Sequence, residues 1–173
     1  MIKPRKSVME MEEYKPPTYG RENFIRLDFN ENTKGCSPNV IKSLRRINFA
    51  GMSIYPDYSN LRKILAKYCR IKEDEILPTN ATDEAIKTVV ETYIEKGKDE
   101  IIIPVPTFAM FKFYAQLNDA LIKEILYNAD LSFPTDKILG QISKKTKIIV
   151  LVNPNNPTGT SVRNSDIINS SSD

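Results

Sequence analysis

Ile148-Ile149-Val150-Leu151-Val152 runs without interruption into Asn153-Pro154-Asn155-Asn156-Pro157-Thr158-Gly159. The five apolar residues form the most hydrophobic strand expected in the chain, of the kind that a parallel sheet buries. The two prolines, three asparagines and one glycine behind them fix a rigid turn at the strand's carboxyl end. An asparagine held there can donate a fixed hydrogen bond from its amide to a ligand oxygen. An asparagine-rich turn that satisfies its own backbone is the plainer alternative, and both stand on these residues alone.

The same alternation extends upstream. Leu121 to Leu126 reads as a strand, Glu100-Ile101-Ile102-Ile103 as a buried one, and Ile76-Leu77-Pro78-Thr79 as a short strand or extended lead-in. Between them Ala85, Ile86, Val89, Val90, Tyr93 and Ile94 share one helical face. Thr107 to Leu117 is an aromatic-rich helix and Thr135 to Ile142 another. Strands alternating with helices predict an α/β fold, a three-layer, mostly parallel sheet covered on both faces. Ligands of such sheets sit beyond the carboxyl ends of the strands. Three loops therefore qualify: Asn80 to Thr82, Pro104 to Phe108, and Asn153 to Gly159.

Nearer the N-terminus, Ser37-Pro38 opens a helix with a capping residue and then proline at the first position. Gly51 to Asp57 is turn-rich, and Leu61, Ile64, Leu65 and Tyr68 recur at helical spacing. Arg26 to Phe29 alternates like a short strand. Met1 to Asn23, with Pro4, Pro16, Pro17 and Gly20, reads as an extended arm that needs a surface to lie on. Beyond Gly159 the chain passes into serine and asparagine. The expected division is an N-terminal arm and loop over 1–35, a partial large domain over 36–160, and a disordered tail over 161–173.

Composition narrows the chemistry. The 173 residues contain 40% hydrophobic and 27% charged side chains, the balance of a globular protein. With 25 basic and 22 acidic residues the net charge is +3, too mild and dispersed to argue for nucleic acid. There is no histidine, which excludes Ser-His-Asp and Cys-His nucleophiles and every histidine-containing metal site. Cys36 and Cys69 form no CxxC pair, so no metal site is expected and a reducing, cytoplasmic setting is. No apolar run approaches the ~18 residues of a membrane span, and no signal-peptide pattern opens the chain.

The loops carry specific candidates. Ala81-Thr82-Asp83-Glu84 feeds a helix whose first N–H groups and positive dipole end suit an anion, although Thr82 as a simple cap is the stronger local reading. Phe108 sits just past a strand, where a ring can stack on a planar ligand or pack into the core. Tyr55-Pro56-Asp57 is a helix-entry turn with Asp57 or Ser59 as cap and a tyrosine hydroxyl free to point outward.

Taken in order, Leu27-Asp28-Phe29-Asn30-Glu31-Asn32, Tyr55-Pro56-Asp57, Ala81-Thr82-Asp83-Glu84, Pro106-Thr107-Phe108 and Asn155-Asn156-Pro157-Thr158-Gly159 resemble the histidinol-phosphate aminotransferases. These are fold-type-I enzymes that use pyridoxal 5′-phosphate, and the resemblance runs from about Lys15 to Thr160. It implies that Asn156 bonds the phenolic oxygen of the cofactor ring and that Phe108 stacks on the ring. It also implies that Ala81, Thr82 and Asp83 hold the phosphate with backbone N–H groups and the Thr82 hydroxyl. Tyr55 would reach the phosphate of a neighbouring subunit's cofactor in a homodimer, with Asn30 to Gly35 lining the substrate side and the arm lying on the partner.

Two local departures stand out: Ala81 where many members have glycine, and Thr33 where the loop often has proline. The family's Schiff-base lysine, the aspartate at the ring nitrogen and the substrate-binding arginines match no residue of this chain. The resemblance thus implies transamination between glutamate and imidazole-acetol phosphate in histidine biosynthesis, with this chain ending before the lysine and inactive alone. The substrates are small phosphorylated molecules and glutamate, with neither nucleic acid nor membrane as partner. A threonine-phosphate decarboxylase-like enzyme and a non-catalytic remnant or interaction module of the same fold are the alternatives.

Overall fold

The computed structural model describes residues 2–13, 15 and 19–163. Of the tail expected over 161–173, residues 164–173 lie outside that range. The chain divides into two compact units, Met1–Glu12 with Thr79–Asp173, and Glu13–Pro78.

The first unit is built on three parallel strands, β1 (Glu100–Val105), β2 (Leu121–Leu126) and β3 (Thr146–Ile149), in the spatial order β2-β1-β3. β1 pairs with β2 from Glu100 opposite Leu121 to Val105 opposite Leu126. Its pairing with β3 carries an irregularity between Glu100 and Ile101. Ile101, Ile102 and Ile103 are at most 1% exposed. Successive strand residues point to opposite faces, so β1 is sealed on both, and this is why its sequence is an isoleucine run rather than an alternation.

The helices are α1 (Lys6–Met9), α2 (Pro38–Leu44), α3 (Phe49–Ser53), α4 (Ser59–Cys69), α5 (Ala81–Tyr93), α6 (Met110–Leu117) and α7 (Thr135–Leu139). Ile86 and Val90, one turn apart on α5, meet Met110 and Ala115 of α6 and Ile101, Ile103 and Val150 in one buried cluster. Full burial of an aliphatic side chain of this size contributes about 1.5–3 kcal/mol. Within the same unit the Arg5 guanidinium donates to the Leu117 carbonyl at the end of α6 (2.8 Å), where a cation meets the negative end of the helix dipole.

At the amino ends of the strands Glu100 gathers donors from three directions. Its carboxylate pairs with Lys123 of β2 at 2.8 Å and accepts from the hydroxyls of Ser143 (2.6 Å) and Thr146 of β3 (3.1 Å). These partners, Lys123 foremost, hold the Glu100 carboxyl down to about 2.

In the second unit α2 starts as its sequence predicts, with Ser37 Oγ accepting from the Asn39 N–H and Pro38 in the first turn. α4 also forms where expected, but Leu61, Ile64 and Tyr68 of its apolar stripe stay exposed and Ala66 is its buried residue.

The local pattern misplaces several ends. The first part of the turn-rich stretch is helical, because Asn48 Oδ1 caps α3 through the Gly51 N–H at 2.9 Å. Neither Arg26 to Phe29 nor Ile76 to Thr79 forms a strand, and the chain bends at Asp28 and Phe29. α6 begins at Met110 rather than Thr107, and α7 stops at Leu139 rather than Ile142. β3 covers Thr146–Ile149 rather than 148–152, although the Val150 N–H still reaches the Ile102 carbonyl at 2.9 Å. Val152 still packs against the buried cluster, and the chain bends only from Asn153.

Candidate functional site

The loops that leave β1 and β3 at their carboxyl ends are tied together by Asn155, which is 3% exposed. Its Oδ1 accepts from the Thr107 hydroxyl at 2.7 Å. Its amide donates to the Pro106 carbonyl and to Thr158 Oγ1, each at 2.9 Å. The turn closes on the same residue through Asn155 N–H to Thr160 carbonyl (2.8 Å) and Gly159 N–H to Asn155 carbonyl (2.7 Å). Asn153 seals the far side, exchanging bonds of 3.1 Å with the Val162 backbone.

Asn156, next in the chain, behaves differently. It is half-buried, and its side-chain amide makes no hydrogen bond to any described residue. Phe108 is partly buried against the core cluster and meets Phe111 edge-on, with ring centroids 6.4 Å apart. Phe108 thus follows its core-packing reading, and it directly succeeds Thr107, which bonds Asn155.

The entrance to α5 is held from behind. The Ala81 N–H bonds the Thr79 carbonyl across Asn80 at 3.0 Å, an inverse γ-turn with Asn80 at φ −79°, ψ 79°. The Thr79 hydroxyl donates to the Ala81 carbonyl at 3.0 Å. Ala81 itself sits at φ +62°, the left-handed region in which glycine is unstrained. This is the physical reason that glycine suits the position, and alanine here carries strain. Thr82 lies inside the helix rather than capping it, and no side chain caps the first turn. The Glu84 carboxylate turns back to accept from the Asn80 N–H, so one of the two acids at the entrance is already engaged. The N–H groups of Thr82 and Asp83 are left as first-turn donors without intrahelical acceptors.

Tyr55 belongs to the other compact unit and its side chain is fully exposed. Behind it Asp57 accepts from the backbone and hydroxyl of Ser59, which lowers its carboxyl below the ordinary range. In that unit the segment over 28–31 is pinned by Arg21, whose guanidinium bonds Asp28 at 2.6 Å and Glu31 at 2.9 Å and lies 4.1 Å from the Phe29 ring centroid. Arg21 holds the Asp28 carboxyl below its usual value, and Asn30 between the two acids adopts φ +53°.

This donor set fits the group that the resemblance implies. Free first-turn N–H groups and the Thr82 hydroxyl suit a phosphate, the unpaired Asn156 amide suits a ring oxygen, and Phe108 offers an apolar face. Among the described residues no three His, Cys, Asp or Glu side chains gather as a metal site, and no helix is long and apolar enough to cross a membrane. Thr79, Thr107 and Asn155 are the residues that local reasoning missed. The paired asparagines marked the place, but which of the two turns inward depends on a bond spanning 48 residues.

Known proteins resemble this chain in sequence and in fold. Residues 22–168 match the model of the family described as aminotransferase class I and II. A histidinol-phosphate aminotransferase of Dehalococcoides mccartyi is 35% identical over 85% of this chain and 41% of its own length. A solved structure provisionally assigned as the same enzyme, from Erwinia carotovora atroseptica, superposes with a TM-score of 0.75 at 26% identity over 84% of this chain and 43% of that one. The histidinol-phosphate aminotransferase of Sinorhizobium meliloti, solved in complex with pyridoxal 5′-phosphate, shares the fold with a TM-score of 0.73 at 18% identity, over 82% of this chain and 39% of that one. The chain spans about two-fifths of the length of the curated relatives it matches. The α/β sheet with its parallel strands is the aminotransferase fold, and this chain belongs to the class I and II aminotransferases.

Proposed function

We propose that these residues form the cofactor-binding portion of a histidinol-phosphate aminotransferase that works with pyridoxal 5′-phosphate. The observation that carries the reading is the contrast between neighbouring asparagines: Asn155 is buried and fully bonded, while the Asn156 amide has no hydrogen-bond partner among the described residues. The relatives' names support a histidinol-phosphate substrate class; on this reading the whole enzyme moves an amino group between glutamate and imidazole-acetol phosphate in the cytoplasm. The cofactor, when bound, supplies the electron sink that eases loss of a proton from the substrate carbon.

Each residue then has a defined task. The Thr82 and Asp83 N–H groups, just past Ala81, and the Thr82 hydroxyl hold the phosphate. The Asn156 amide donates to the phenolic oxygen and favours its ionised form. Phe108 covers one ring face and excludes water from it. Tyr55 serves the site of a partner subunit in a homodimer, residues 1–35 supply the arm and substrate-side loop, and 36–160 carry the cofactor. None of this chain's lysines matches the proton-transferring lysine of the family, so these residues bind and orient without turning over.

Equilibrium dialysis tests the reading. The chain should take up one pyridoxal 5′-phosphate and bind it at least ~10-fold more tightly than pyridoxal, since charge-assisted bonds to the phosphate are worth about 1.5–3 kcal/mol. No amino transfer from glutamate should appear. Equal affinity for the two aldehydes would remove the phosphate site, and borohydride fixation of one cofactor on one lysine would overturn the binding-only role.

A further inference from the structure

Asn155 is none of the residues assigned above to the phosphate or the ring, yet its side chain is fully bonded, to Thr107, Pro106 and Thr158. We infer that Asn155 is the positioning residue of the site, fixing the loop of Phe108 and the loop of Asn156 as one rigid piece. What is positioned rests on the cofactor reading above; the bridge itself does not.

The stereochemistry leaves this carboxamide little freedom. A primary amide has two N–H donors and one carbonyl acceptor. Asn155 spends its donors on Pro106 in one loop and Thr158 in the other, and its carbonyl takes the Thr107 hydroxyl. Thr107 immediately precedes Phe108, and Thr158 lies two residues past Asn156. At 3% exposure no solvent competes for these bonds. Loss of any one leaves a buried donor or acceptor without a partner, so the two loops move together or not at all. The bridge also accounts for the late start of α6, because Thr107 is held by Asn155 and not drawn into the helix.

Asn155→Asp is nearly isosteric but turns an acceptor toward the Pro106 carbonyl, which should part the loops. Thr107→Val keeps the shape and removes one bond. In the ligand-free chain, amide exchange at Gly159 should quicken about threefold in Thr107→Val, although that change lies in the other loop, and about tenfold in Asn155→Asp. With pyridoxal 5′-phosphate added, the pH midpoint of its near-ultraviolet band should rise in Asn156→Ala, because a donor to the phenolic oxygen is lost. It should rise in the same direction in Asn155→Asp and Thr107→Val, neither of which removes a ring contact, and affinity should fall about tenfold in Asn155→Asp.

An unchanged band midpoint in variants whose thermal stability has fallen would reduce Asn155 to a structural residue and overturn the inference. So would exchange changes confined to the mutated loop. If Asn155→Asp fails to fold, Thr107→Val decides the matter alone. A wild-type chain that takes up no pyridoxal 5′-phosphate defeats the cofactor reading, and exchange passing between the loops then still decides the bridge.

Discussion

At the amino ends of β1, β2 and β3 one carboxylate collects an ammonium and two hydroxyls, whereas beyond the carboxyl ends of β1 and β3 the Asn156 amide meets no acceptor among the described residues. Both ends are fixed by the same middle strand. Glu100 exhausts its surroundings and leaves nothing for a ligand, so that end contributes stability and pH sensitivity. Beyond Val105 and Ile149, Asn155 consumes the internal bonding capacity, and by doing so keeps Asn156 available. An unsatisfied donor is tolerable only at a surface that water or a ligand can reach, which is where half-buried Asn156 stands.

The largest effect should come from cutting what the two ends share. Ile103 lies at the centre of β1, fully buried in the main cluster. Ile103→Ala should cost about 2–5 kcal/mol, a large part of the ~5–15 kcal/mol that typically separates folded from unfolded. Urea unfolding followed by circular dichroism measures the loss, and cofactor uptake should fall with the folded fraction. Full affinity retained by a chain destabilised to that extent would mean that the carboxyl-end loops hold together without the sheet.

A change at the amino end should separate stability from binding. The Glu100 carboxyl lies at about 2, below its usual 4.5, so its contribution is present in full above about 4.5 and disappears as pH falls through about 2. Glu100→Gln should therefore lower the urea midpoint at neutral pH, where Lys123 loses its partner, and flatten the dependence on pH between those values. Affinity for pyridoxal 5′-phosphate per folded chain should not move. A mutant as acid-sensitive as the wild type over that window would show that other carboxylates carry the transition.

The comparison also explains what sequence could and could not reveal. β2 falls where its apolar run predicts, and α2 starts at its serine and proline, because these boundaries are written locally. The start of α6 and the end of β3 are not, since Thr107 and Asn155 bond across 48 residues and pull both loops out of regular structure. At the site, the Asn-Pro-Thr-Gly turn and the Ala81–Glu84 segment were legible as places. The inward turn of Asn155, the bracing by Thr79 and the return of Glu84 to the Asn80 N–H depend on backbone geometry that composition does not encode. The exposed stripe of α4 shows the reverse case, in which a clear periodic signal forms its helix but stays exposed in the described residues.

The smallest expected effect lies at the entrance to α5, where the strained Ala81 precedes the proposed phosphate donors. Ala81 at φ +62° bears about 1–2 kcal/mol of left-handed strain, because its Cβ crowds the following carbonyl oxygen. Ala81→Gly removes that strain but gives the unfolded chain extra freedom worth about 0.4–1 kcal/mol. The net gain should be a few tenths to about 1 kcal/mol in urea unfolding. Thr79→Val, which deletes the hydroxyl donated to the Ala81 carbonyl, should act in the opposite direction by about 1 kcal/mol. If the first-turn N–H groups hold the phosphate, Ala81→Gly should leave affinity unchanged or raise it, since the entrance keeps its γ-turn across Asn80 and loses only a methyl group. Weaker binding from a chain made more stable would mean that the strained alanine is itself what aims those N–H groups, and the phosphate cradle would then depend on the strain rather than merely tolerate it.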